Sequence, residues 1–347
     1  MKNKYDVVIV GAGPGGLKAA EVLAGSGRSV LVLEKTRVIG DKLCAGGITT
    51  NKHPKDLPFE TIDAKFFDSF SFHFFGKTRR VSSDRPPIVV VERTRLGEYL
   101  AGRARSAGAE IETGREAEEI TRKYVRTGNT KVYFEYLIGA DGTESRVRKF
   151  LGLPTKKLLI SIYYEVKRIY ENVEMFFDPE VTGDGYGAIF PHHTYTELGV
   201  TLDITKDPNR DTKGILERWL EKEGLDWRGG VLKQALISYD FRGFRFGNIF
   251  LVGDAGGFTS GLTGGGISSA MFSGEEVAKK IINPRYACPK IRKILTVKFI
   301  HENIIKPLYR SRHPLLATLA YEITARTSKP IFYKLLQANP FFKRIRA

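Results

Sequence analysis

Four consecutive apolar residues, Val7 to Val10, run straight into a glycine turn near the start of the chain. An unbroken β-branched run suits a strand buried on both faces, as parallel sheets require. Leu17, Ala20, Leu23 and Ala24 then recur at helical steps, and SVLVLE (29–34) predicts a second strand. Short apolar strands leading into glycine-containing turns and helical starts return in YLIGADGTESRVRKFLGL (136–153) and NIFLVGDAGGFTSGLTGGGISSAMFSGEEVAKKI (248–281). Leu96, Leu100 and Ala104 predict one more amphipathic helix. Between these segments the period changes to two. Phe70, Phe72 and Phe74 alternate in FDSFSFHFFGKTRRV, and KLLISIYYEVKRI, VEMFFDPEV, YGAIFPHHTYTELGVTLDI and LKQALISYDFRGF also read as strands of a largely antiparallel sheet. Such an aromatic stripe either fills a core or lines a long hydrocarbon pocket.

The expected fold class is α/β: a doubly wound nucleotide-binding domain with an α+β, β-rich substrate domain and a helical C-terminal extension. The expected division is 1–60, 88–155 and 240–283 for the discontinuous first domain, 61–87 and 156–239 for the second, and 284–347 for the extension.

The glycines carry the first chemistry. Gly11, Gly13 and Gly16 form GxGxxG between strand and helix: a tight turn, a close approach for a pyrophosphate, and a helix packed on its strand. The helix N-terminus offers unpaired N–H groups and the positive end of its dipole to phosphates. Glu34, at the end of the second strand, is placed to accept from a ribose 2′-OH and favours NAD or FAD over NADP. The two later glycine segments point to the flavin. Seven of residues 253–266 are glycine, Asp254 can hold a polyol hydroxyl, and Gly264 to Gly266 would present bare amides to the N1–C2=O edge of a reduced flavin. Asp141 is expected near the same groove, in a binding or a structural role.

Together, GAGPGG, ADGTESRVR, GDAGG and the GGGI helix resemble the FAD-binding fold of para-hydroxybenzoate hydroxylase. LCAGGI around Cys44, LTGGGISSAMFSGEEVA and GYGAIFP narrow the resemblance to the geranylgeranyl reductase family, over roughly residues 1 to 285. The resemblance implies FAD contacts at Gly13, Gly16, Glu34, Cys44, Ala45, Gly47, Arg93, Ala117, Asp254, Gly266 and Ile267, to which the glycine turns add Gly11 and Gly265, with Asp141 near the groove. It implies a substrate wall at Tyr186, Ala188, Phe190 and Pro191, with Cys44 and Tyr186 as candidate catalytic residues. Two positions depart from the family pattern: Ala188 stands for a Trp, and Gly261 replaces a Pro, both on the expected substrate side.

Cys44 keeps several roles open: packing or flavin contact without chemistry, a thiol that positions substrate or aids proton delivery, or a redox partner of Cys288. No CxxC and no spaced metal ligands accompany it, so no metal is expected. His192 and His193 follow Pro191; neighbours on a strand face opposite ways, so at most one could reach a flavin. GxSxG, HExxH and Walker A motifs are absent, which leaves hydrolase and NTPase readings without support.

Composition changes the picture at one end. With 42% hydrophobic residues and 36 glycines, 347 residues can build a large α/β enzyme core. Two cysteines, no signal-like leader and no apolar run of about 18 residues point to a cytoplasmic protein that does not span a bilayer. The net charge is +16, yet residues 284–347 hold 14 Lys or Arg against Glu302 and Glu322. Ile291, Ile294, Leu295, Ile304, Ile305 and Leu308 recur among those cations, in helical pieces divided at Pro307, Pro314, Pro330 and Pro340. A basic amphipathic helix suits peripheral contact with the inner face of a membrane, or forms a cap over the substrate lobe. Nucleic acid is not expected as a partner.

The expectation is therefore an FAD-dependent reductase that saturates C=C bonds of isoprenoid chains on a lipid or quinone, with NAD(P)H or ferredoxin as transient donor. Its rivals are a flavin monooxygenase of a small aromatic and a membrane-associated electron-transfer flavoprotein.

Overall fold

The computed structural model describes residues 2–49, 57–74, 76–82, 86–311, 313, 315, 316, 319 and 320. Its first sheet gathers segments far apart in sequence. At its centre β1 (Lys4–Val10) pairs in parallel with β2 (Val30–Glu34) on one side and with β11 (Thr130–Gly139) on the other. β8 (Glu110–Thr113) extends the β2 edge, and β18 (Ile249–Leu251) with β17 (Arg245–Phe246) extends the β11 edge. β9 (Glu119–Ile120) and β10 (Tyr124–Thr127) hang on β11 as an antiparallel ribbon. The apolar run Val7–Val10 is buried throughout, as a central parallel strand must be.

Three helices cover one face: α1 (Pro14–Ala24), α2 (Arg93–Ser106) and α5 (Ile267–Ile282). α1 and α5 cross at two glycines. A Cβ on Gly274 would overlap the Gly15 carbonyl oxygen, and one on Gly15 would come within 2.9 Å of Ala270 O. One residue earlier, Ser273 Oγ accepts the Gly253 N–H at 3.0 Å, so the Ser-Gly pair of α5 fixes both neighbours of the phosphate turn. The short α3 (Arg146–Phe150) starts on Ser145, whose hydroxyl caps Arg148 N.

The second sheet has the order β16 (Val231–Ser238), β12 (Leu158–Val166), β15 (Thr196–Asp203), β14 (Tyr186–Pro191), β13 (Val173–Phe177), β5 (Ser69–Phe74), β6 (Lys77–Ser82). All pairs are antiparallel except β13 with β5. Leu198, Val200 and Leu202 point to one face, where α4 (Thr212–Lys222) seats the buried Trp219. The opposite face meets the glycine loops. Phe70, Phe72 and Phe74 do not: Phe70 is buried among Phe67, Ile88 and Val173 with Phe72 packed alongside, so the stripe fills a core. A third sheet joins β3 (Gly47–Thr49) and β4 (Lys65–Phe67) to β7 (Ile88–Val90) and tethers the Cys44 loop.

The C-terminal extension corrects two expectations. Pro307 does not divide it: α6 (Pro289–Ile300) continues through a π-helical turn, His301–Ile305, into α7 (Lys306–Arg310). The wide turn relieves the clash a proline imposes on the preceding carbonyls. Nor is the apolar stripe free, since Ile291, Leu295 and Ile305 are buried against the protein. The basic residues stitch this cap down. Lys298 Nζ donates to Thr259 O (2.9 Å), Tyr239 O and Glu302, and Lys306 Nζ to Gly261 O (3.0 Å) and Asp203. Pro314, Pro330 and Pro340 lie outside the described residues. Among the described residues no helix is long and apolar enough to cross a membrane.

Candidate active site

The three glycine turns converge. Gly11–Gly15, Ala140–Glu144 and Gly253–Asp254 with Thr263–Ile267 line one side of a cavity of about 750 Å³, and Gly40–Gly47 crosses its end. The far wall is the in-facing side of the second sheet, including Ser161, Tyr163, Tyr186, Ala188, Phe190, Glu197, Gly199 and Thr201. Of the residues singled out in the sequence, Gly11, Gly13, Glu34, Cys44, Ala45, Gly47, Arg93, Ala117, Asp141, Asp254, Gly265, Gly266, Ile267, Tyr186, Ala188 and Phe190 all line it.

Gly16 and Pro191 do not. A Cβ on Gly16 would overlap Gly11 O, so this glycine serves the helix–strand contact. Pro191 follows Phe190 on β14 and so faces away, as strand alternation dictates. Gly261 is also absent from the wall: a Cβ there would sit 2.5 Å from the Tyr239 ring, so a ring packed on the loop requires glycine. His192 and His193 lie just past β14 and line nothing. His192 is buried against Glu92, while His193 is exposed beside Asp63.

The walls are electrically arranged. The Gly13 N-cap of α1 and the Gly266 N-cap of α5 carry no side-chain cap, so two helix N-termini open into the cavity. The expectation of bare amides at Gly264 and Gly265 needs correction: Gly264 N donates to Ser260 O at 3.0 Å and Gly265 N to Thr263 Oγ1 at 3.3 Å. Glu34 accepts Ala12 N at 2.7 Å and Thr36 N at 2.9 Å, which fixes its carboxylate beside the first turn. Asp141 accepts Ser145 Oγ, Arg146 N and Val147 N while still facing the cavity, and burial pushes its carboxyl above the usual range. Burial acts on Asp254 in the same direction, but the ammonium of Lys42, 2.9 Å away, and Thr259 Oγ1 at 2.7 Å outweigh it and hold that carboxyl low.

Tyr186 is buried and donates to Thr263 O at 2.6 Å, joining the sheet wall to the GGG turn; burial raises its phenol. The Arg93 guanidinium stands 4.0 Å from Cys44 Sγ, and its Nε is buried without a hydrogen-bond partner. Both cysteines are free: Cys44 is half-buried on the cavity wall, and Cys288 is buried in the core near Glu276 and Tyr286.

Sequence reasoning missed two residues. Arg148 is 1% exposed and donates to Ala255 O (3.0 Å), Pro154 O (3.0 Å) and Asp240 O (2.8 Å), clamping the second glycine segment to the third. Glu197 is a buried carboxyl on the sheet wall.

The donor set fits FAD. Beyond the two uncapped helix ends, the Cβ position of Gly13 meets only Ala140 O, at 3.6 Å, which leaves room for a phosphate against the turn, and the orphaned Arg93 Nε adds a cationic donor. Family models agree: residues 6–86 match the FAD dependent oxidoreductase family and residues 59–213 the FAD binding domain. Among curated relatives, a digeranylgeranylglycerophospholipid reductase of Methanocaldococcus jannaschii is 32% identical over 314 residues, 81% of this chain and 78% of that one. The chain belongs to the geranylgeranyl reductase family.

The geranylgeranyl diphosphate reductase of rice chloroplasts is 29% identical over 311 residues, 81% of this chain and 67% of that one. Among solved structures, a geranylgeranyl bacteriochlorophyll reductase-like protein from Thermoplasma acidophilum superposes with a TM-score of 0.75 at 21% identity, covering 98% of this chain and 97% of that one. A probable FAD-dependent monooxygenase from Pseudomonas aeruginosa shares the fold at a TM-score of 0.67 and 17% identity, over 92% of this chain and all of that one. The family membership and the FAD-binding models make the protein an FAD-dependent oxidoreductase.

Proposed function

We propose that this protein saturates C=C bonds in the geranylgeranyl-type chains of a lipid or quinone. One observation carries the reading: a single cavity joins the dinucleotide cradle to a sheet wall that includes Ala188, Phe190 and Ile237, so an apolar chain could lie against a bound flavin. Reduced FAD would supply the hydride.

The chain's own residues do the rest. Gly11, Gly13 and Arg93 would receive the pyrophosphate, Glu34 the ribose and Asp254 the ribityl chain. Ala117, Asp141, Gly265, Gly266 and Ile267 complete the FAD contacts. Cys44, Ala45 and Gly47 line the cavity and would hold the ring, and Gly47 is kept small by Phe190, which a Cβ there would meet at 2.6 Å. Tyr186, Ala188 and Phe190 would shape the substrate side. Ala188, small where the family motif has Trp, leaves width beside Tyr186.

A working division follows: residues 1–60, 88–155 and 240–283 would hold FAD, 61–87 and 156–239 would face substrate, and 284–347 would form the basic C-terminal region, of which Pro289–Arg310 packs down as a cap. NAD(P)H or ferredoxin docks transiently as donor, because the GxGxxG unit is committed to FAD. Leu315, 73% exposed, with Leu316 and Leu319, offers an apolar foot within the basic region for an anionic membrane surface. Co-sedimentation with anionic vesicles, lost on truncation after Asn283, checks that contact.

The deciding experiment reduces the purified flavoprotein without oxygen, adds a geranylgeranyl lipid and weighs the product. Each saturated bond adds two hydrogens and reoxidises the flavin. Flavin left reduced by every isoprenoid offered would defeat the reading, and rapid oxygen consumption with a small aromatic would install a monooxygenase in its place.

A further inference from the structure

Glu197 lies on β15 opposite Phe190 of β14, and both face the cavity. Its side chain is 5% exposed and its Oε2 has no hydrogen-bond partner. Behind it, Glu197 Oε1 stands 3.8 Å from Nε2 of buried His192, a nitrogen that also lacks a partner. The other imidazole nitrogen, Nδ1, is 2.6 Å from Glu92 Oε1. Glu92 is one-third exposed, and Tyr195, stacked on His192 at 4.2 Å, donates to its second oxygen at 3.2 Å. A line of three titratable groups thus leads from solvent, past the start of α2, to the cavity wall.

We propose that Glu197 is the acid that protonates the substrate alkene, and that Glu92 and His192 reload it from solvent. The proposal rests on the reductase reading above. One alkene carbon gains the hydride, drawn with its electron pair from reduced flavin, which ends oxidised. The other carbon gains the Glu197 proton, leaving a carboxylate. Glu92, whose carboxyl the His192 and Tyr195 hydrogen bonds hold below the usual range, passes a solvent proton on to His192 Nδ1. The ring releases its Nε2 proton to Glu197 once a small rotation of the carboxyl closes the gap, and a flip of the imidazole returns its starting tautomer.

The surroundings suit an acid kept neutral. Burial is the largest influence on Glu197 and raises its pKa to about 8. Glu165 on β12 and Glu92 push the same way, while Lys233 on β16 and the Tyr163 hydroxyl oppose them. Lys233 is already paired with Glu165, so its charge is largely spent there. Cys44, Tyr163 and Glu197 line the same cavity, so thiol, phenol and acid share the site. A carboxylic acid with a pKa near the working pH is well matched to general-acid work.

The test uses the FAD-loaded full chain. Difference infrared titration of wild type against Glu197→Gln should show a protonated-carboxyl band that disappears as pH rises through about 8. In anaerobic single turnover, Glu197→Gln should bind FAD and accept electrons from dithionite as wild type does. Its reoxidation by geranylgeranyl lipid should be slower by roughly 100-fold or more, the usual worth of a positioned acid. Wild-type reoxidation should fall as pH rises through about 8, and the variant should lose that limb. Glu92→Gln should keep the first turnover and slow the following ones.

Wild-type reoxidation rates in Glu197→Gln, or a Glu197 carboxyl that ionises in the ordinary Glu range, would overturn the proposal. Wild-type flavin that no isoprenoid reoxidises would overturn the reductase reading and the donor role with it, whatever the infrared titration shows.

Discussion

Lys42 and Asp254, 212 residues apart, meet at 2.9 Å and tie the loop carrying Cys44 to the third glycine turn. The pair is asymmetric: the Lys42 side chain is 46% exposed and that of Asp254 only 13%. A half-exposed partner limits its worth to about 1 kcal/mol. Lys42→Ala should therefore weaken FAD binding by about fivefold or less, measured by flavin fluorescence titration, while Asp254→Ala, which also frees Thr259, should cost more. Equal losses would mean that Asp254 does not contact the flavin.

The crossing of α1 and α5 leaves no room for a side chain. Gly274→Ala should cost about 1–3 kcal/mol through overpacking and release FAD, because parting the helices opens the turn at Gly13. Urea unfolding of the apoprotein and flavin retention on gel filtration would report the two effects separately. Gly27→Ala serves as control, since a Cβ there meets nothing within 4 Å although its positive φ adds local strain.

At Ala188 the family's Trp is missing and the position opens into the cavity. Ala188→Trp should narrow the substrate side. The KM for a long isoprenoid lipid should rise more than that for a short prenyl analogue, with FAD affinity unchanged. Equal shifts for both chains would place the substrate elsewhere.

Acid should loosen the C-terminal cap. Burial opposes ionisation of Asp203, but the Lys306 ammonium and the Thr205 and Tyr239 hydrogen bonds outweigh it and hold the carboxyl at about 2. A carboxyl lowered by folding stabilises above its unfolded pKa, here the ordinary 3.8, and that contribution fades as pH falls from there toward about 2. The urea midpoint of wild type should drop across this window more steeply than that of Asp203→Asn. Parallel curves would show that the Lys306 pair does not hold the cap.

The cofactor half was legible because its demands are local. Gly11 and Gly13 answer a turn and a phosphate, Glu34 a ribose, and each can be read within thirty-five residues of sequence. The substrate wall was legible only where alternation marked it, at Tyr186, Ala188 and Phe190. Glu197 escaped because its meaning depends on pairing: opposite Leu198, Val200 and Leu202 it reads as a solvated position until a second layer covers that face. Arg148 escaped for the same reason, its three acceptors lying on carbonyls that no spacing predicts. The cap shows a different limit. Its apolar period was visible, but Ile291, Leu295 and Ile305 would repeat identically against lipid or against the protein's own surface.

The order of strands β1, β11 and β18 also sets a timetable for synthesis. When β11 leaves the ribosome, the strand that completes its outer side is still more than a hundred residues away. At ordinary elongation rates that row of backbone donors and acceptors waits on the order of ten seconds for its neighbour. Until then the nascent chain carries an open strand edge at Leu137–Gly139, a place where another chain could pair.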